Sequence, residues 1–479
     1  MRSRTTHSTP LPYQLQSLRH AARPMIFFRT YLLRFLIPVL LAALGAALCR
    51  FLIPGETAAV AQHLIGFPDS DVFTQELRPL ILRLLCFLPA VAGLIYALGG
   101  TLDRYIAREF GGIFAICLSS LVLIWLIMDL NDKIGDFRDS ENVVKTIASF
   151  YAARSPSILL LLLPYSLLLS LLYSLGKLSG SREIIAMVQS GRSIVRIALP
   201  LLFAGVFFSL VSLGLNYQWA PAAEGNVDQI RAEAGGKKAI QATNVIYRNP
   251  SDLRLWKIGA FPQDYYMGGP LTDVEVTTSH PDKTLASRLT AKRALWNRTS
   301  QQWTFEEPVV GKITAGQPTV FETMPGPIVM KSWPETPFQL IKPGLSANLL
   351  GIPDLTTWLK SSARHGDFAN PAPYLTQWYY RLSMPFTCLV TVLLATPLAV
   401  HFSRRGPGGG IMLAVILSGL MLLVTSISIA LGESGTLQPM HAAWLPNIAF
   451  AVLGLYLFRR RITGRPIYLI LRRLVPGND

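Results

Sequence analysis

The most informative chemistry-bearing run in this sequence is Gly176-Lys-Leu-Ser-Gly-Ser-Arg-Glu-Ile-Ile-Ala-Met-Val-Gln-Ser-Gly191. Ser181 can cap a helix that begins at Arg182, and Gly191 can end it. Ile184, Ile185 and Val188 then share one face, with Met187 beside them, so the predicted element is a short amphipathic helix. Glu183 falls in its first turn, where a carboxylate suits the helix dipole and can accept charge-assisted hydrogen bonds from a partner. Two readings stay open on these residues: an interfacial anchor that only closes a loop, and a coupling helix that docks into a cytoplasmic partner.

Other chemistry finds no foothold. A phosphate loop needs Gly-x-x-x-x-Gly-Lys-[Ser/Thr], and Gly236-Lys237 and Gly311-Lys312 lack both the upstream glycine and the following hydroxyl, so neither can cradle phosphates. There is no His-Glu-x-x-His and no Cys-x-x-Cys, and the seven histidines are scattered, so no metal site is predicted. Gly406-Pro-Gly-Gly-Gly410 reads as a tight turn. Cys49, Cys86, Cys117 and Cys388 lie in apolar stretches and read as buried thiols rather than a disulfide framework. The chain is therefore expected to be no enzyme and to bind no cofactor. Energy for any work would come from elsewhere.

The elements that position the Gly176–Gly191 run are membrane helices. Of 479 residues, 51% are hydrophobic and 15% charged, against about 25% charged in soluble chains. Spans need about 20 mainly apolar residues, and eight runs qualify: roughly 31–53, 79–100, 111–130, 156–175, 194–215, 382–400, 411–431 and 444–458. The first two are weaker, with Arg34, Pro38 and Arg50 in one and Arg83 and Pro89 in the other. No small-residue cleavage site is evident near Pro54, so the first span reads as a retained helix rather than a signal peptide.

Orientation follows the basic residues of the short loops. Residues 1–30, the loop 176–193, the loop 401–410 and the tail after Phe458 are all rich in Lys and Arg, whereas 54–78 carries Glu56, Asp69, Asp71 and Glu76 against Arg78 alone. If eight spans alternate, the basic segments share one side, and both termini are expected in the cytoplasm. The net charge of +16 is then mostly this signature, which argues against a nucleic-acid partner.

Residues 216–381 form one insert on the opposite side, too long for a simple loop. Val245–Tyr247, Leu253–Ile258, Val274–Thr278, Arg288–Trp296, Trp303–Phe305, Val309–Ile313, Thr319–Thr323 and Ile328–Lys331 read as short strands with polar turns, which predicts an antiparallel sandwich or curved sheet. Residues 353–364 read as a short helix with Leu355, Trp358 and Leu359 on one face.

Several stretches in order carry a resemblance: Thr101-Leu-Asp-Arg-Tyr-Ile106, Leu163-Pro-Tyr-Ser-Leu-Leu-Leu169, the loop ending at Gly191, Asn216-Tyr-Gln-Trp-Ala-Pro221, Ala291-Lys-Arg-Ala-Leu-Trp296 with Trp303-Thr-Phe305, Tyr380-Arg-Leu-Ser-Met-Pro385 and Trp444-Leu-Pro-Asn447. Together they make residues 101–461 resemble the LptF/LptG (YjgP/YjgQ) family of lipopolysaccharide export permeases, with a slight lean to LptG. The resemblance implies an α-helical polytopic membrane protein of the inner membrane, with six family spans plus two extra N-terminal spans and a periplasmic antiparallel β-jellyroll-like domain. The implied divisions are an N-terminal extension over 1–100, helices over 101–215 with the coupling loop 176–193, the periplasmic domain and its connecting helix over 216–378, helices over 379–461, and a basic tail over 462–479.

The resemblance also implies partners. These are a cytoplasmic ATPase dimer (LptB-like) that uses the ATP, a second permease subunit of the family, periplasmic bridge proteins (LptC/LptA-like), and lipopolysaccharide itself. Arg182, Glu183 and Gly191 become the ATPase-coupling residues. Some family members carry basic residues near lipid phosphate at the depth of Asp129, Asp132 and Lys133; here Lys133 and Arg138 remain as candidates. Apolar alternation points to Val274, Val276, Leu289, Leu295, Phe305 and Phe321 as lining for acyl chains. A non-transporting membrane scaffold with a periplasmic binding domain is the competing reading. An intramembrane enzyme would need ionisable groups clustered at mid-bilayer, which the well-defined spans lack.

Overall fold

The computed structural model describes residues 13–66, 71–137, 142–223 and, with interruptions of one to nine residues, 227–400 and 408–463. Helices α1 (Tyr13–Gly66), α2 (Val72–Leu98), α3 (Thr101–Lys133), α4 (Val143–Gly180), the short α5 (Glu183–Gln189) and α6 (Ile194–Tyr217) precede the sheet. After it come α7 (Pro337–Ile341), α8 (Ile352–His365), α9 (Ala372–Ser383), α10 (Phe386–Ala399), α11 (Gly408–Glu433) and α12 (Pro439–Ile462). Among the described residues seven helices are long and apolar enough to cross a membrane, and eight spans result when the bent pair α9–α10 counts as one. Gly408, Gly409 and Gly410, expected in a turn, instead open α11, while residues 401–407 lie outside the described residues.

Helix α4 is the hub of the bundle. Two thirds of its most apolar stretch is buried, against about a tenth or less for α1, α2 and α3. Ser166, Ser170 and Ser174 recur every four residues and are buried. Each satisfies its hydroxyl on the carbonyl three residues back, at 2.9, 3.0 and 3.4 Å, so the stripe stays small and admits close neighbours. Leu163, Leu167 and Leu171 join Val390, Leu394, Ala395 and Leu398 of α10 in one core.

The sixth span is not one straight helix: α9 and α10 meet at 52°. The cause is Pro385, which has no N–H for the carbonyl of Arg381. Asn216 of α6 supplies the missing donor, its Nδ2 reaching Arg381 O at 2.8 Å. Asn447 of α12 donates likewise to Ser383 O at 2.7 Å, because the Thr387 N–H has turned to Met384 O. Three of the segments that carried the resemblance thus converge on a single break. An unpaired buried carbonyl costs about 1–3 kcal/mol. Asn447→Leu is therefore expected to lower the thermal unfolding midpoint of the detergent-solubilised chain; an unchanged midpoint would remove the break from the stability argument.

The two added spans pack on each other and on the sheet-to-membrane connection. Lys360 of α8 pairs with Asp71 at 2.7 Å. Gln75, fully buried, donates to Asp354 of α8 at 3.2 Å, and Gln218 donates to the other oxygen of Asp354 at 3.1 Å. Tyr217 closes the contact by donating to Thr74 O at 2.8 Å.

Among the described residues seven antiparallel strands form one sheet: β1 (Ile240–Asn249), β2 (Arg254–Pro262), β3 (Leu271–Ser279), β4 (Leu285–Asn297), β5 (Gln302–Lys312), β6 (Val320–Thr323) and β7 (Ile328–Met330). The order β1 to β6 follows the sequence, and β7 pairs back onto β5. Trp303–Phe305 and Val309–Ile313, read as separate strands, belong to one strand, β5, with Ile313 outside the described residues. Asn244, Gly259, Asp273, Lys292 and Glu307 lie opposite one another in register across β1 to β5. At this row the strands shift which alternate residues they bury, as in Leu289 and Ala291 before it and Ala294 and Trp296 after it. Asn244, Asp273 and Glu307 hold φ of 52, 52 and 51°, and a Cβ on Gly259 would stand 2.8 Å from Asp273 Cβ. The row is a crease of aligned bulge-like residues.

Candidate functional site

The loop that joins α4 to α6 is tied down by the first turns of α3. Asp103 pairs with Arg196 of α6 at 2.7 Å, and Glu109 pairs with Lys177 of α4 at 2.5 Å. Between them the Tyr105 hydroxyl donates to Glu183 Oε2 at 2.7 Å, while the Ser181 hydroxyl donates to Oε1 at 2.8 Å. The hydrogen bond from Tyr105, followed by that from Ser181, holds the Glu183 carboxyl below its ordinary range. The contact is therefore intact at neutral pH and loosens only as acid protonates the carboxylate.

The expected cap is different in one respect. Ser181 does not cap the helix: Arg182 is the N-cap, at φ 58° and without a side-chain cap bond. That left-handed residue turns the chain so that Ser181 meets the Glu183 side chain instead. At the other end Gly191 does what its type allows. Its φ is 87°; its N–H reaches Val188 O and the Arg192 N–H reaches Met187 O, a Schellman ending. Ile184 is fully buried in the transmembrane core, with Met187 and Val188 packed against it. The apolar face is therefore committed to the bundle, and the exposed Arg182 and Gln189 form the outward side. Tyr105 and Asp103 were missed as site residues, although the Thr101–Ile106 segment had been singled out.

At the opposite end of α3, Asp129 accepts from Lys133 at 2.8 Å, from Arg154 Nη1 at 3.0 and 3.1 Å and from Tyr151 at 3.1 Å. Arg154 also lies over Trp125, 5.0 Å from the ring centroid. Lys133 is thus already ion-paired, and Arg138 lies outside the described residues. Asp129 is thus paired with two cations, one of which, Arg154, sequence reading overlooked.

The six residues expected to line an acyl path do not share a face. Val274, Val276, Leu289 and Phe305 are buried, at 0, 1, 5 and 0% exposure, in a core that includes Trp256, Trp303, Leu340 of α7 and Trp358 of α8. Leu295 is half-buried and pairs with Thr304 on the other face, because the crease at Lys292 shifts the alternation by one. Phe321, in β6, is 56% exposed. Trp303 anchors the interior: its Nε1 donates to Glu335 O at 2.7 Å, and its ring centroid lies 5.3 Å from that of Trp256 and 5.0 Å from that of Trp296.

Residues 104–460 match the family described as lipopolysaccharide export system permease LptF/LptG. The chain belongs to the LptF/LptG family. LptF of Escherichia coli K12 is 24% identical over 365 residues, covering 74% of this chain and 93% of that protein. LptG of the same strain is 21% identical over 370 residues, covering 76% and 99%. LptF/LptG membership is therefore firm, but the lean to LptG finds no support, since both subunit types match at similar identity. The family segment begins inside α3, so α1 and α2 precede it. Within it the LptF/LptG order is present: three spans, the sheet, then three spans, the first of them broken at Pro385.

Proposed function

We propose that this chain is one half of the membrane permease of a lipopolysaccharide exporter, which takes lipopolysaccharide from the inner membrane and passes it through its sheet domain towards the outer membrane. The observation that carries the reading is α5, a helix held by α3 on one side and the bundle core on the other, at the membrane end opposite the sheet. Such a helix can pass a push from a docked protein directly to α3, α4 and α6.

The docked protein in this reading is a cytoplasmic ATPase dimer that hydrolyses the ATP, and the permease itself binds no cofactor. Arg182, Glu183 and Gly191 shape the docking helix. Both termini lie in the cytoplasm, as the basic loops require. A second permease subunit covers exposed apolar helix faces such as that of Ile116, Leu123 and Ile127 on α3, and periplasmic bridge proteins continue the route. A lipid with several acyl chains needs such cover, since each exposed CH₂ costs about 0.8 kcal/mol in water.

Full-length chain with loop 176–193 intact is expected to retain the ATPase in pull-down and to release lipopolysaccharide to a periplasmic acceptor only with ATP. Deletion of the loop should abolish both. Retention of the ATPase without the loop would favour the scaffold reading, in which no docking helix is needed.

A further inference from the structure

The added helix α2 touches α6 closely where Leu85 meets Gly214. Towards the Arg196 end the two helices part, and a cleft of about 540 Å³ opens between α2, α6 and α3. That volume falls within the roughly 300–1,000 Å³ usual for ligand sites. Leu88 and Ile95 form one wall, and Leu199, Phe203 and Leu210 the other. Phe203, Leu210 and Ile95 are 48, 47 and 45% exposed, so the cleft faces sideways into the bilayer. Leu199 to Leu210 covers about 17 Å of helix at 1.5 Å per residue, close to the roughly 15 Å depth of one leaflet's hydrocarbon.

Among the described lining residues the charged side chains gather at one end: Asp103, Arg104 and Arg196. Arg196 and the Gly100 N–H both donate to Asp103 Oδ2. Asp103 Oδ1 is buried and accepts no hydrogen bond among the described residues. Arg104 gives its Nε to Gly100 O at 3.3 Å, and its two terminal nitrogens make no hydrogen bond among the described residues. The mouth thus offers spare donors on a cation and one net positive charge, and just beneath its surface lies a spare acceptor on an acid.

We propose that this cleft holds a phospholipid of the leaflet remote from the sheet, with a primary-ammonium headgroup. Its phosphate sits on Arg104, its ammonium displaces the side chains that cover Asp103 Oδ1 and donates to it, and one acyl chain runs between α2 and α6. The chemistry is that of phosphatidylethanolamine: an anionic phosphodiester answers the net positive mouth, and the ammonium brings the carboxylate a cationic donor, which makes a stronger hydrogen bond than the neutral hydroxyls of a glycerol headgroup. Only the choice of leaflet rests on the orientation proposed above. The lipid would seal the seam that the added hairpin leaves open against the family helices.

The test uses the full chain in mild detergent, washed to strip bulk lipid, reloaded with phosphatidylethanolamine, phosphatidylglycerol or lipopolysaccharide, and read by native mass spectrometry. This readout needs no ATPase, so it can fail while the permease reading stands, or succeed while that reading fails. Phosphatidylethanolamine should remain bound to the wild-type chain in preference to phosphatidylglycerol. Arg104→Gln should lower its retention about tenfold. Val206→Trp, which fills the cleft from a position 43% exposed, should lower it likewise. Both variants should keep the wild-type unfolding profile in detergent, and the second keeps the test decisive if the first folds poorly. Unchanged retention in Val206→Trp, equal binding of phosphatidylglycerol, or displacement by lipopolysaccharide would each overturn the assignment.

Discussion

Glu183→Lys is expected to release the ATPase from the permease while leaving the bundle and the sheet folded. The carboxylate already accepts from Tyr105 and Ser181, which uses two of its roughly four acceptor positions. A partner cation can take what remains. Charge-assisted hydrogen bonds of that kind contribute about 1.5–3 kcal/mol each, so their loss weakens association by about tenfold to a hundredfold, and the reversed charge adds repulsion. Two further variants separate docking from mere anchoring. Tyr105→Phe removes the internal bond and keeps the charge; Glu183→Gln keeps the shape and an acceptor but removes the charge. If the carboxylate only fastens α5 to α3, Tyr105→Phe should match Glu183→Lys in ATPase binding, ATP turnover and lipid release. If it meets a partner cation, Glu183→Lys should be much the worse, with Glu183→Gln between them. Wild-type values for Glu183→Lys in all three assays would reduce Glu183 to a helix-end charge, worth about 0.3–1 kcal/mol to α5.

Much of the architecture was legible in the sequence because membrane helices and their loops obey strong one-dimensional rules. The long apolar runs, clearest from Ser157 to Leu175, placed the spans, and the apolar face of α5 was read correctly down to Ile184. What escaped the sequence were features fixed by partners remote in the chain. The break at Pro385 is tolerable only because Asn216 and Asn447 supply the missing donors. Ser181 looks like a cap until Arg182 takes a left-handed conformation and sends it to the Glu183 side chain. In the sheet a strict period of two selected Leu295 together with Leu289. The crease at Lys292 moves burial to Ala294 and Trp296, and nothing in that strand alone marks it; the signal is spread over Asn244, Gly259, Asp273 and Glu307 in four other strands.

Trp303→Ala is expected to destabilise the sheet domain by about 3–5 kcal/mol, the usual cost of emptying a large buried aromatic site. Trp303 is fully buried, packs at a tilt against Trp256, Trp296 and Phe305, and supplies the hydrogen bond to Glu335 O that an alanine cannot replace. The Glu335 carboxylate beside it is itself buried and held by Arg254 and Asn249, each at 2.8 Å. Loss of the ring therefore disturbs a polar cluster as well as a packed one. The measurement is the unfolding midpoint of the sheet domain within the full chain, followed by the fluorescence of its tryptophans and by proteolysis, with the membrane helices as internal reference. The size of the effect also decides how lipid can use this domain. A wall residue of an open groove has water or lipid on one side and loses little on truncation, whereas a residue of a closed core loses contacts on all sides. A full-sized loss would mean that acyl chains reach Val274, Val276 and Phe305 only when α7 and α8 move off the sheet. A loss below about 1 kcal/mol, too small for the emptying of a packed core, would mean an interior already open to them. With α8 fastened to α2 through Asp71, Gln75 and Asp354, the closed case makes the added hairpin a restraint on that opening. Lys360→Ala, which frees one of those ties, should then increase photo-crosslinking of lipopolysaccharide at Phe305 while leaving crosslinking at the exposed Phe321 unchanged.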